Sequence, residues 1–124
     1  MKITTLGAID IGSNAIRLLV KNVEDYDTRK DFKKVALIRV PIRLGEDVFI
    51  NGVISKEKQE LLSIAIEGFS LLMKAYNVNR YRACATSAMR EAKNGKKIVE
   101  NIKKNCGIEI EIINGIEEGE LIYE

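Results

Sequence analysis

The chain has 124 residues, 46% of them hydrophobic, with 20 Lys and Arg against 18 Asp and Glu for a net charge of +2. That is one domain's worth of sequence, able to hide roughly two thirds of its unfolded surface, and too evenly charged for an acidic tail or a duplex nucleic-acid footprint. It contains no histidine, which excludes Ser-His-Asp and Cys-His nucleophile systems and every histidine-containing zinc box. Acid–base chemistry therefore falls to carboxylates, lysine, tyrosine or a bound metal. Cys84 and Cys106 form no CxxC pair. They suit two free, buried thiols in a reducing compartment. Asp10 arrives before any apolar stretch of signal-peptide length, and no apolar run is long enough to span a bilayer. The expectation is a soluble cytoplasmic domain.

Ile3 to Asp10 alternates apolar and polar positions, and so does Ala15 to Val23, where Ile16, Leu18 and Val20 share a face. The Gly12-Ser13-Asn14 turn between them predicts a β-hairpin. Asp25 to Lys34 is charged and rich in turn residues, a connector. Val35 to Ile42 reads as a third strand, and Pro41, which cannot donate to a ladder, marks it as an edge strand or a strand end. Gly45 to Gly52 reads as a loop. Ser55 caps a long amphipathic helix over 56–76, with Leu61, Leu62, Ala65, Ile66, Phe69, Leu72, Met73 and Tyr76 at three- and four-residue steps. A short strand over 80–86 runs into a helix starting at Thr86-Ser87, which Asn94-Gly95 interrupts and which ends at Cys106-Gly107. Ile108 to Ile113 alternates as a strand, and Asn114-Gly115 opens a last helix. Three strands joined by short turns, then strand–helix alternation, predict a mixed sheet flanked by helices.

Three segments carry chemistry. Gly12, Ser13 and Asn14 supply the backbone N–H groups, the missing Cβ and the small side-chain donors of a phosphate-binding turn. Asp10 beside them can face a hydrated Mg²⁺. A tight hairpin turn explains the same residues structurally. Thr86 or Ser87 is a good helix cap. Arg90, read as lying in that helix's first turn, opposes the macrodipole unless an anion shares the N-terminus; a guanidinium turned to solvent or paired with a carboxylate explains it equally. In Asn114-Gly115-Ile116-Glu117-Glu118, Glu117 completes a capping box, whereas Glu118 is a carboxylate able to take a proton from an attacking water. Arg43 to Glu46 is a weaker candidate for a substrate-side loop, and the 29–34 basic run reads as a solvated connector.

Four stretches, AIDIGSNAIRLLV, RLGEDVFINGVIS, ATSAMREAKNG and IEIINGIEEGELIY, in this order resemble the N-terminal domain of the exopolyphosphatase / guanosine pentaphosphate phosphohydrolase (Ppx/GppA) family. The first motif is shared in outline with sugar kinases, acetate kinase and actin; the fourth is far more specific. The resemblance implies a ribonuclease H-like, actin-type α/β fold, with a five-stranded mixed sheet of order 3-2-1-4-5 flanked by helices. It also implies Gly12, Ser13 and Asn14 as the first phosphate loop, Asp10 beside the metal–phosphate site, Arg90 reaching the substrate phosphates, and Glu118 as catalytic base. The implied reaction is Mg²⁺-assisted water attack on a terminal phosphoanhydride of polyphosphate or guanosine pentaphosphate. The family's second phosphate loop, Asp-x-Gly-Gly-Gly-Ser, and its metal-holding carboxylates do not occur before Glu124. Residues 1–124 are therefore expected to be a truncated single domain, inactive alone, from a homodimeric parent and able to self-associate through its uncovered cleft face. An ATP-dependent small-molecule kinase of the same fold, and a non-catalytic polyphosphate- or nucleotide-sensing module, are the alternatives.

Overall fold

The computed structural model describes residues 1–115. Its strands are β1 (Lys2–Ile11), β2 (Ile16–Asp25), β3 (Lys30–Val40), β4 (Arg80–Ala85) and β5 (Ile110–Ile112). Its helices are α1 (Leu44–Asn51), α2 (Lys56–Ala75), α3 (Ser87–Glu91) and α4 (Gly95–Cys106). The sheet order is β3-β2-β1-β4-β5, as the resemblance implied. β1 pairs antiparallel with β2 and parallel with β4, β2 antiparallel with β3, and β4 parallel with β5. Period-two alternation builds the inner face. Ile9 and Ile11 of β1, Ile16, Leu18 and Val20 of β2, and Ala83 and Ala85 of β4 are all buried, pointing to one side because alternate strand residues do.

Helix α2 covers that side. Ser55 Oγ accepts from the Lys58 amide at 3.3 Å, an N-cap bond that satisfies one orphan donor. Leu62, Ile66, Phe69 and Met73 are buried, each stabilising the fold by about 2 kcal/mol through removal of apolar surface from water. Leu61 stays 47% exposed and Tyr76 38%, so the core stripe is narrower than its apolar periodicity suggested. α4 buries Ile98 and Ile102 beside α2. It stops where Gly107 takes the left-handed conformation that a Cβ disfavours.

The described elements depart from the sequence expectation at four places. Residues 44–51 are helix rather than loop: Glu46 and Asp47 favour its N-terminal dipole, and Gly52 closes it at φ 76. Strand β3 begins at Lys30, five residues early, so most of the basic connector is edge strand. The expected interrupted helix is two separate helices, α3 and α4, joined through Ala92, Lys93 and Asn94. Cys106 is only half-buried, whereas Cys84 is buried, and neither forms a disulfide. Burial still pushes the Cys106 thiol pKa up, with the Glu67 charge adding to it. No described helix is long and apolar enough to cross a membrane.

Candidate active-site cleft

The β1–β2 hairpin closes tightly because the Gly12 amide donates to the Ala15 carbonyl at 3.1 Å. This leaves Ser13 and Asn14 at the tip. The loop is then held from two other parts of the chain. Gly45, at the start of α1, donates its N–H to the Ser13 carbonyl at 2.9 Å. A Cβ at that position would lie 3.0 Å from Ser13 Cβ, so glycine is what permits the approach. From the other side, Ser13 Oγ and Ser87 Oγ sit 2.7 Å apart, sharing one hydrogen bond. The Thr86 amide donates to the Ile11 carbonyl at 3.1 Å, and the Ile113 amide to Ala85 at 2.9 Å. The ends of β1, β4 and β5 are thereby stitched into one rim.

Helix α3 carries Arg90 on that rim, and Arg90 Nη1 donates to the Ile113 carbonyl at 2.6 Å. Its Nε lies 3.8 Å from Glu91 Oε1. Because α3 is a single turn ending at Glu91, Arg90 occupies its last turn. The macrodipole conflict expected for a first-turn cation therefore does not arise, and the guanidinium is placed by the Ile113 carbonyl instead. Thr86 occupies the N-cap position without a side-chain cap bond. Ser87, expected as a cap, reaches across to Ser13.

A cavity of about 660 Å³ opens over the loop, lined by Asp10, Gly12, Ser13, Asn14, Thr86 and Ser87 at the rim and running past Arg17 onto Leu19 and Leu37. Asp10 is exposed toward it, in register between Arg17 of β2 and Cys84 of β4. The fold thus brings together Asp10, Gly12, Ser13 and Asn14, and sets Arg90 on the same rim outside the cavity lining. Glu117 and Glu118 lie outside the described residues. Among the described residues no three carboxylate or thiol side chains cluster as a metal site. Asp10 offers a single carboxylate, so a Mg²⁺ beside it would take its other ligands from water, substrate phosphates or residues outside those described. The described residues do not fit a Mg²⁺ centre by themselves.

The Arg43–Glu46 stretch has a structural role. Arg43 Nη1 meets Glu46 at 3.2 Å, while Lys58 Nζ meets Asp47 at 2.9 Å and Glu46 at 3.6 Å. Hydrogen bonds from the Ser55 amide and from Lys58 hold the Asp47 carboxyl below the usual carboxylate range. Sequence reasoning missed Gly45 and Ser87 as supports of the loop. The only available signal was a glycine directly after the apolar Leu44, at a helix start where glycine is not a preferred residue.

With this geometry in view, comparison with known proteins is decisive. Residues 20–124 match the model of the Ppx/GppA phosphatase family. The chain belongs to that family. It is 29% identical over 120 residues to exopolyphosphatase 1 of Mycobacterium tuberculosis, covering 95% of this chain and 33% of that protein. The crystal structure of the Aquifex aeolicus Ppx/GppA family member superimposes with a TM-score of 0.88 at 27% identity, covering 95% of this chain and 37% of the other. The exopolyphosphatase structure from Cytophaga hutchinsonii gives 0.83 at 27% identity, over 97% and 37%. The chain thus spans about a third of the length of the curated exopolyphosphatase it matches. Membership supports a phosphatase-type hydrolase function at the family level and assigns the five-stranded sheet to the ribonuclease H-like, actin-type fold.

Proposed function

We propose that this chain supplies the first phosphate-binding half of a phosphoanhydride hydrolase that releases a terminal phosphate from inorganic polyphosphate or from guanosine pentaphosphate. The observation that carries the reading is the doubly braced Gly12–Asn14 loop at the cavity mouth, in a member of a phosphatase family. With the Gly12 amide committed to Ala15, the donors for a phosphate oxygen are the amides and side chains of Ser13 and Asn14. Bracing from Gly45 and Ser87 fixes them before substrate arrives. Such preorganisation stabilises developing charge without a reorganisation cost at the moment of reaction. Arg90, aimed along the rim by Ile113, adds a cation for the same phosphates.

In this reading Glu118 takes the proton from the attacking water as its oxygen bonds to phosphorus and the bridging P–O bond breaks. Glu117 serves the helix cap. Asp10 contributes to a hydrated Mg²⁺ whose other ligands come from a second domain of a longer, dimeric parent; no step is derived through the metal. The chain by itself is then a binding half without turnover. The test is phosphate release from polyphosphate and guanosine pentaphosphate by the full-length protein, comparing Glu118→Gln with Glu117→Gln. Loss of at least about a hundredfold in kcat is expected for the former, the scale of general-base catalysis, and near-normal turnover for the latter. Equal behaviour of the two variants removes Glu118 as the base. Transfer of phosphate from ATP to a sugar or acetate would replace the hydrolase with a kinase.

A further inference from the structure

Helix α2 carries a second apolar face that the core does not use. Its buried residues, Leu62, Ile66, Phe69 and Met73, share one side. Leu61, Ile64 and Leu71 are instead 47%, 67% and 59% exposed. Together with Gly68 and Ala75 they recur at alternating three- and four-residue steps, the spacing of a coiled-coil seam. On a helix of 3.6 residues per turn this stripe points about 150° away from the buried one. Gly68 sits at its centre. A glycine inside a helix weakens it, and no packing within the chain asks for one here: a Cβ at Gly68 would meet nothing within 4 Å. Gly7 is the contrast, since a Cβ there would lie 2.9 Å from Met73 Sδ. What the missing Cβ at Gly68 provides is close approach from outside.

We propose that this face docks on the same face of a second copy of the chain, the two α2 helices running antiparallel about a two-fold axis beside Glu67. Ile64 of one copy then falls between Gly68 and Leu71 of the other, and Leu61 between Leu71 and Ala75. Such an axis sets each flank of the helix against the same flank of its partner. Glu60 and Lys74 lie on one flank, seven residues to either side of Glu67, and both are exposed. Glu60 of each copy therefore meets Lys74 of the other, an ion pair at either end of the seam. Among the described residues neither side chain is ion-paired within the chain. A groove of about 450 Å³ between α2 and α4, lined by Glu60, Ser63, Ile64 and Asn105, gives the incoming Lys74 stem its place. Parallel helices would set that flank against Ala65 and Leu72 and leave both charges unpaired. Only the two Glu67 carboxylates, facing each other near the axis, oppose the pairing. One helix pair gives a contact at the low end of specific interfaces, about 1,000 Å² in total, so the dimer is reversible and half-formed at about 10–100 μM. The inference stands apart from the phosphoanhydride reading, because α2 packs on the opposite side of the sheet from Leu19 and Leu37 and leaves the cavity open.

The test is sedimentation equilibrium of the purified 124-residue chain from low micromolar to several hundred micromolar. The chain should pass from monomer to dimer and go no further, since a two-fold contact closes on itself. Ile64→Asp should weaken association at least about tenfold, with melting unchanged at a concentration where the chain is monomeric. Gly68→Gln should weaken it comparably while raising that melting temperature, glutamine being the better helix former; this separates lost docking from lost folding. Glu60→Lys and Lys74→Glu should each weaken the dimer about fivefold, and the two combined should restore it. Glu67→Gln should tighten it. A chain that stays monomeric throughout overturns the proposal. So does association blind to Ile64→Asp and Gly68→Gln but abolished by Leu37→Asp, which would place the contact on the open face of the sheet. A charge-reversed double variant that stays as weak as its parents overturns the antiparallel pairing.

Discussion

The two ends of the β1–β2 hairpin are built by opposite means. At the loop end, contacts join residues far apart in the chain, using backbone and small groups. Gly45 donates to Ser13, Ser87 meets Ser13 across 74 residues, and Thr86 donates to Ile11. At the other end a local charged cluster does the work. Glu24 accepts from Tyr26 at 2.9 Å and from Lys33 at 3.0 Å, all within ten residues of one another. Those hydrogen bonds hold the Glu24 carboxyl below its ordinary range and the Tyr26 and Lys33 groups above theirs. In the charged cluster the polar groups satisfy one another. At the loop end, close packing leaves Ser13 and Asn14 at a cavity mouth. Long-range steric fit goes with the candidate binding loop, and local charge pairing goes with scaffold.

This contrast can be broken from either side. The largest effect is expected at Gly95, which packs against the turn between α3 and α4. A Cβ there would lie 2.1 Å from the Met89 carbonyl oxygen, so Gly95→Ala must displace α3. A stability loss of about 3 kcal/mol and a melting temperature lower by about 10 °C are expected in calorimetry, together with weakened phosphate binding. Retention of wild-type melting would show that α3 is not locked by this contact. Ser87→Ala is smaller. It removes the bond to Ser13 and should cost about 1 kcal/mol, equally at pH 4 and pH 7, because neither hydroxyl titrates there. A loss that varies with pH would mean a charged group shares that bond.

The smallest effect, and the one with a pH signature, belongs to Glu24→Gln. A carboxyl held lower in the folded than in the unfolded state contributes stability above its unfolded pKa, and loses it as pH falls through the folded value. The melting difference between wild type and Glu24→Gln should therefore be present near neutrality and close as pH drops below about 4. Tripolyphosphate affinity should be untouched. A difference that persists undiminished into acid would place the origin of the effect in packing rather than charge.

Much of this molecule was legible in the sequence where one face of an element is buried. Ile9, Ile11, Ile16, Leu18 and Val20 alternate because the helices cover them, and Leu62, Ile66, Phe69 and Met73 recur at helical steps for the same reason. Legibility failed where burial is absent. Helix α1 buries only Leu44 and leaves Phe49 92% exposed, so it carries no stripe, and its bounding glycines suggested a loop. The start of β3 failed likewise: Lys30, Lys33 and Lys34 look like a connector, yet an edge strand needs no apolar alternation on a solvated side. For the site, the turn residues were visible as a turn. Their bracing by Gly45 and Ser87 was not, since contacts across 32 and 74 residues leave no local pattern.

The register shift in the β2–β3 pairing falls between Val20 and Lys21, where Val35 has no partner across the ladder. Such an irregularity bends and twists the strand that carries it, and β3 is the border strand of the sheet. Its eleven residues also hold Lys30, Lys33, Lys34 and Arg39 against one acid, Asp31. A kinked, cationic border is a poor template for another strand. The border through which this sheet could be extended by another molecule thus carries its own brake, and fibre-like growth in that direction is disfavoured by the backbone as well as by charge.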